Sequence, residues 1–405
     1  ILGFDWLNDL SVLGNAKARK TANNWLSLWL GNYSFEKECK REINIIAQRQ
    51  INFVHNITFI EKIFSEKKFQ SILRKIYAEK IFLNFLLNDL EDNFLKFKIL
   101  NSSFWLEVFL SSNISKRNQY FQKICEIIML LINKKLFLES RKPEELLEIF
   151  LIISDLINNT DNKFFKKNKS RKKIVLIQKK LVPILRGLRL GNGSLARFHG
   201  GDAGNIELID KALSSVENKE EGVSNNPLGI ERITAGRLIL LLDCHSPPLN
   251  NFSLDSHASC LSFELSSGQR PIFVNCGPGG RFGIEYKRFC RNTSAHNTSS
   301  IDNKSQVEFR SIFTNEEFSK EIIFKGPKKV NINRGKSIDA KWIEGSHDGY
   351  NEKYGILHKR KIILLKSGNT ISGSDFYTKK SKLFLNFDLS VETYFHLHPN
   401  VEITN

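Results

Sequence analysis

Residues 255–298 read DSHASCLSFELSSGQRPIFVNCGPGGRFGIEYKRFCRNTSAHNT. Apolar and polar residues alternate over Ser259–Leu265, and Pro271–Cys276 is a short apolar run. Alternation at period two, with Ser266-Ser267-Gly268 between, predicts a β-hairpin. A glycine-rich loop, a basic aromatic segment and His296-Asn297-Thr298 follow. The stretch carries two histidines, three cysteines, four arginines and Asn275 in an apolar setting. So much polar chemistry between short apolar runs marks a candidate site held by a sheet.

Working outward, the pattern changes on either side. Before about residue 190 apolar residues recur at three- and four-residue spacing, which predicts helices over Ala16–Leu30, Phe35–Asn52, Phe69–Leu90, Phe94–Leu110, Tyr120–Ile132, Glu144–Leu156 and Lys173–Leu188. Pro143 followed by Glu144 and Glu145 is a helix start: fixed φ, then acids at the positive end of the dipole. Trp6, Trp25, Trp29 and Trp105 fall here; core packing is their ordinary use, and a sugar-stacking platform is the alternative. The run Lys163–Lys173 reads as a solvated loop and helix start. Six glycines between Gly187 and Gly204 form a connector without a phosphate-loop pattern.

From about Ile230 the period is two. Strands are predicted at Arg237–Leu242, Ser259–Leu265, Pro271–Cys276, Thr298–Ile301, Ile338–Glu344, Gly355–Leu365, Thr370–Phe376 and Ser381–Leu389. Helices first and antiparallel strands afterwards give a multidomain α-then-β chain, with a helical domain over 1–215 and a sandwich over 216–405. No βαβ alternation occurs, which disfavours a dinucleotide-binding fold.

The net charge is +17. It has two readings: a surface for a polyanion, or a composition rich in Lys, Asn and Ile. Such a surface suits nucleic acid or an acidic polysaccharide, and nucleic acid is the weaker partner because no nucleic-acid-binding module is recognisable. No apolar run approaches the ~20 residues of a membrane span. The chain starts at Ile1 and stops in Val-Glu-Ile-Thr-Asn, as an internal fragment would, so the lack of a leader carries no information. Oligomeric state is not legible. None of the six cysteines forms a C-x-x-C pair, and Cys244, Cys260 and Cys276 read as small buried residues at equivalent strand positions.

Eight of the nine histidines lie at or after His199. Paired strands would bring His257, Asn275 and His296 together, as a metal site or as a hydrogen-bonded polar cluster. At this point a resemblance enters. H-A-S-C-L-S-F-E-L, P-I-F-V-N-C-G, R-N-T-S-A-H-N-T and F-H-L-H-P, after a helical half, resemble the heparinase II/III family of polysaccharide lyases. Ser346-His347-Asp348-Gly349-Tyr350, His358-Lys359-Arg360, Ala196–Gly201 and Phe4–Leu10 are similar to the family as well.

The resemblance implies an incomplete α/α toroid followed by an antiparallel β-sandwich, and β-elimination on a uronic-acid-containing polysaccharide. Elimination needs a group to neutralise the uronate, a base for the C5 proton and an acid for the leaving oxygen. Where family members carry His-x-His, this chain has Asp255 and His257, and the family's zinc Asp is Asn275. His296 is kept, so the resemblance implies at most a weak structural zinc at His257, Asn275 and His296, and no required cofactor. The helical-domain tyrosine is missing near Arg141. His199, Tyr286, His257 and Asp255 are the catalytic candidates; Arg141, Arg197, Arg288 and Arg291 are candidates for gripping an acidic sugar. The resemblance leans toward a bacterial periplasm over a cytoplasm. Three functions stand side by side: a heparinase II/III-like lyase, an altered member that binds acidic glycans, and a glycoside hydrolase using two of Asp202, Asp243 and Asp255.

Overall fold

The computed structural model describes every residue except 1, 40–42, 112, 133–136, 160–168, 217–225, 313–319, 380–387 and 405. The chain packs as two units, residues 1–134 and 135–405.

The first unit is helical: α1 (Trp6–Leu13), α2 (Ala16–Asn32), α3 (Phe35–Cys39), α4 (Ile43–His55), α5 (Ile57–Glu61), α6 (Glu66–Leu86), α7 (Asn93–Leu110) and α8 (Ile114–Leu131). Sequence sets several starts directly. The side chains of Asn15, Asp92 and Asn113 accept from backbone N–H groups in the first turns of α2, α7 and α8. The stretch Phe35–Asn52, read as one helix, is helical over Phe35–Cys39 and from Ile43 on, and 40–42 lie outside the described residues. Trp29 and Trp105 are core residues, as ordinary usage anticipates, while Trp25 is partly exposed. Arg49 lies fully buried under Phe4 and Trp29 and pairs with Glu38 and Glu79, tying α4 to α3 and α6.

The second unit opens with α9 (Pro143–Asn159), α10 (Lys169–Gly187) and α11 (Ile206–Ser214). Pro143 is the first helical residue, where its missing N–H has no cost. The basic run at 163–173 lies mostly outside the described residues. Two four-stranded antiparallel sheets follow. One runs β1 (Ile230–Ala235), β2 (Leu238–Asp243), β3 (Phe263–Ser267), β4 (Arg270–Phe273). The other is ordered β11 (Ile371–Lys379), β10 (Ile356–Leu365), β9 (Ala340–His347), β8 (Val330–Lys336). Ile233, Leu240, Leu242, Phe263 and Leu265 of the first pack with Ile343, Ile362 and Leu364 of the second, making the expected sandwich core.

Between the sheets in sequence come α12 (Ile284–Arg291), β5 (Ser299–Ile301), and the pair β6 (Glu308–Ile312) and β7 (Lys320–Lys325). The short helix α13 (Asn351–Tyr354) precedes β10, and β12 (Val391–Thr393) pairs with β5. The strand expected at Ser381–Leu389 lies mostly outside the described residues. The strand expected from Ser259 starts only at Phe263. Leu261 has φ +58°, and the N–H groups of Leu261 and Ser262 bond to Asp243 and Ser259, so 259–262 is a turn. His257 therefore sits on a loop and not on a strand. Cys244, Cys260 and Cys276 all fall just outside strands; the first two are buried and Cys276 is exposed, so their spacing is not strand equivalence.

Candidate functional site

Folding brings the imidazoles at 257 and 296 together. His257 Nδ1 lies 2.9 Å from His296 Nε2, with both residues at most 1 % exposed. The loop of His257 is held from both sides: Ala258 N donates to the Arg291 carbonyl, and Gln306 Nε2 to the Ala258 carbonyl. His296 Nδ1 is 2.9 Å from the Asn292 carbonyl, which accepts only, so Nδ1 carries the proton and Nε2 is the acceptor. His257 Nδ1 must then be the donor, which leaves its Nε2 as the lone-pair nitrogen. Burial, His296 and His199 hold His257 well below the ordinary imidazole value; burial and His199 push His296 down to about 3. Both rings are neutral near pH 7.

His199 joins this cluster from the glycine-rich connector. It is 1 % exposed, its φ is +51°, and its Nε2 approaches Asp243 Oδ2 to 3.3 Å without hydrogen-bond alignment. Burial and Arg141 lower its pKa against the pull of Asp243. Asp243 ends β2 and is fully buried. Burial alone would raise its carboxyl, but Arg141 and His199 outweigh it and hold the carboxyl far below the usual range. Ser259 Oγ donates to its Oδ2 at 2.8 Å.

Arg141, a candidate for gripping a sugar carboxylate, is a buried clamp. Nε donates to the Leu228 carbonyl, Nη1 to those of His245 and Ser246, and Nη2 to Gly229 and to Asp243. No donor is left for a ligand. Arg291 is similar: its fork serves the carbonyls of Ser253, Ser256 and Glu321, and its plane covers Phe309. Arg288 pairs with Glu285 and Glu321 on the surface of α12. Tyr286 is 45 % exposed on the same helix, against Phe282 and Phe289. Arg197 reaches toward buried Glu264, with 3.8 Å between Nη1 and Oε2. Burial raises Glu264's pKa against the opposing pull of Arg197 and the Asn275 N–H.

The solvent-facing member is Asp255, whose side chain is 47 % exposed and lies 2.7 Å from Lys287 Nζ and 3.6 Å from Lys142 Nζ. Its backbone carbonyl lies against Gly200, so the His199 loop abuts it. Burial would raise this carboxyl too, yet the two lysines keep it low. Lys142 also lowers His257, which places it near the dyad. Neither lysine stood out in the sequence, because each sits in an ordinary basic run. Glu264 could have been noticed as an acid between Phe263 and Leu265; it points to the face opposite theirs, and that face is buried too.

Residues 220–405 match the family described as heparinase II/III-like, C-terminal. That span is a heparinase II/III-like C-terminal domain. Among solved structures the chain is similar to heparinase III, at TM-score 0.62 and 13 % identity over 89 % of this chain and 59 % of that one. It is also similar to a heparan sulfate lyase from Pedobacter heparinus, at TM-score 0.50 and 12 % identity over 90 % of this chain and 60 % of that one. At such identities the likeness concerns the fold: helices followed by an antiparallel sandwich. A curated relative, FtsZ-localized protein C of Caulobacter vibrioides, is 24 % identical over 52 % of this chain and 37 % of its own length. The chain thus spans less than two thirds of each of these proteins.

The heparinase II/III resemblance implies zinc at His257, Asn275 and His296, and the donor set can be tested against it. Asn275 Oδ1 accepts from Asn297 N at 3.1 Å, which fixes the amide orientation, and its Nδ2 is a buried donor without a partner. The oxygen that could ligate a metal is thus engaged by a backbone N–H, and the other end of the amide is a donor that cannot ligate one. Among the described residues no three His, Cys, Asp or Glu side chains are grouped to hold a metal. These residues do not fit zinc; they fit a hydrogen-bonded imidazole pair.

A second pair lies in the other sheet of the heparinase-like domain. Gly349 N donates to His347 Nδ1 at 3.1 Å, so His347 Nε2 donates to His358 Nδ1, also at 3.1 Å, and His358 Nε2 to Asp375 Oδ1 at 2.7 Å. Arg360 grips Asp375 bidentately and donates to the carbonyls of Leu261 and Asn297. The motifs around His347 and His358 therefore brace the segment carrying His296.

Proposed function

We propose that this chain binds an acidic, uronate-bearing polysaccharide on its heparinase II/III-like domain, as a catalytically altered member and without zinc at the dyad. One observation carries this reading: the half-exposed position two residues before His257 holds Asp255, a carboxylate of lowered pKa already paired with Lys142 and Lys287. A carboxylate held that low is a poor base for a C5 proton, and the imidazoles of His257 and His296 are buried. The two lysines offer an anionic sugar a cationic mouth. The names of the heparinase III and heparan sulfate lyase structures, and the net charge of +17, support this substrate class.

The test pairs two measurements on heparan sulfate, chondroitin sulfate and alginate. Binding is expected to weaken steeply with salt, with no growth of absorbance from unsaturated uronate and no zinc in the purified protein. Steady absorbance growth that His257→Gln abolishes would overturn the altered-member reading. Absence of binding to all three polymers would overturn the substrate class.

A second reading, β-elimination itself, is favoured by the dyad's tautomer: His257 is neutral with its lone pair on Nε2, as a base requires, and Lys142 lies near enough to balance a uronate. In that case His257→Gln and Lys142→Ala each lower kcat/KM by at least about a hundredfold. Unchanged rates in His199→Ala and Tyr286→Phe would remove those two residues from the chemistry.

A further inference from the structure

The first unit contains a cavity of about 480 Å3 between α6, α7 and α8 that shares no residue with the site above. Its size falls in the roughly 300–1,000 Å3 range of small-molecule sites. Leu73, Arg74, Tyr77 and Lys80 follow one another at helical spacing on α6, and Leu106, Glu107, Leu110 and Ser111 line it from α7 and its end.

The floor is an ion pair. Lys80 Nζ meets Glu107 Oε1, and each residue is only 4 % exposed. Lys80 is framed by the rings of Tyr77 and Tyr120, at 5.3 and 5.6 Å. Behind it Tyr120 Oη donates to Asn84 Oδ1, and Asn84 Nδ2 to Ser103 Oγ, so the floor is braced. The second carboxylate oxygen, Glu107 Oε2, is buried without a hydrogen bond. Ser111 lies near enough to stabilise the carboxylate, and burial's upward push on Glu107 is outweighed by Lys80 and Ser111. A buried, ionised carboxylate balanced only by Lys80 and the nearby Ser111 is costly to the fold, and a further donor at Oε2 offsets that cost. The exposed rim is cationic, with Arg74 and Lys116 beside the half-exposed ring of Tyr77. The lining thus offers one strong acceptor at depth, an aromatic and aliphatic wall, and positive charge at the mouth.

We infer that this cavity binds a sugar acid: a single hydroxylated ring carrying a carboxylate. Ring hydroxyls donate to Glu107 Oε2, one ring face lies on Tyr77, and the carboxylate meets Arg74 and Lys116. Neutral sugars lack the group the rim attracts, and simple anions lack the donors the floor requires. The site goes beyond the polysaccharide reading and does not rest on it. The polymer assay reads residues of the second unit and can fail while this site stands.

The test is calorimetric titration of the full chain with sodium glucuronate, glucose, sodium sulfate and a glucuronate-ended oligosaccharide. Saturable glucuronate binding is expected, with glucose and sulfate at least about tenfold weaker, the loss of one charge-assisted contact. A free sugar acid as ligand gives glucuronate the tighter binding; a chain end gives it to the oligosaccharide. Tyr77→Ala and Arg74→Ala, both on exposed positions that spare the fold, should each weaken glucuronate about tenfold. Glu107→Gln should do so more strongly, with a thermal melt checking that it folds. No saturable glucuronate binding, equal binding of glucose, or unchanged affinity in Tyr77→Ala and Arg74→Ala overturns the inference.

Discussion

At the scale of single residues, the strongest constraints fall on charges taken out of water. Asp243 is ionised in the interior of the second unit because Arg141 and His199 outweigh its burial, and Ser259 Oγ donates to its Oδ2. Arg141→Ala leaves that carboxylate buried and unpaired, so it should cost about 3–5 kcal/mol in urea unfolding. Arg141→Lys recovers little, because a single ammonium cannot serve four carbonyls and a carboxylate together. Asp255 behaves oppositely. It is half exposed and occupies both lysines, so Asp255→Asn should tighten polyanion binding by about two- to fivefold at low salt, measured by salt-titrated affinity. Its fate shows how far the sequence goes at this scale. The meeting of His257 with His296 was legible from the motifs that carry them, although His257 was expected on a strand and lies on a loop. The internal use of Arg141 was not, because five backbone and side-chain acceptors from 228–246 converge only in three dimensions.

At the scale of elements, close backbone approach decides more than propensity. Gly191 of the connector meets the β3–β4 hairpin so tightly that a Cβ there would lie 1.8 Å from the Gly268 carbonyl oxygen. Gly191 N also donates to Ser266 Oγ. Gly191→Ala must displace backbone and should destabilise by about 1–3 kcal/mol, read from the thermal midpoint. The central strands β2, β9 and β10 were legible because one face of each is apolar and buried. The strand pair β6–β7 and the edge strand β8 were not, because half or more of their residues are charged or polar and much of their surface is solvent-exposed. The segment 259–262 failed for the reverse reason: its alternation imitates a strand, but its N–H groups turn back on Asp243 and Ser259.

At the scale of the whole molecule, buried histidines set the response to pH. His199, His257, His296, His347 and His358 all have pKa values below the ordinary 6.5, burial being the largest cause in each. The unfolded chain therefore binds more protons than the folded one below about pH 6.5, so stability rises with pH in that range. Stability should fall as pH drops from 6.5 toward 4, by up to about 1.4 kcal/mol per pH unit for each histidine. The depressed carboxyls of Asp243 and Asp375 add a further loss below their ordinary values near 3.8. Urea midpoints between pH 7.5 and 4.5 check this, and a flat profile would contradict the neutral assignments. The charge of +17 adds a salt-dependent attraction for polyanions at every pH in this window.

By itself the sequence determined the order of classes, helices and then an antiparallel sandwich, because periodicity is a local consequence of which face is buried. It also placed the two imidazoles in one short, motif-bearing stretch, although it put His257 on a strand where the fold has a loop. Tertiary structure alone decided what those groups do. Whether an arginine is a clamp or a hand, whether an aspartate is bare or paired, and whether a helical face closes over an unused carboxylate oxygen depend on atoms brought from distant parts of the chain into a medium where an unmatched charge is costly.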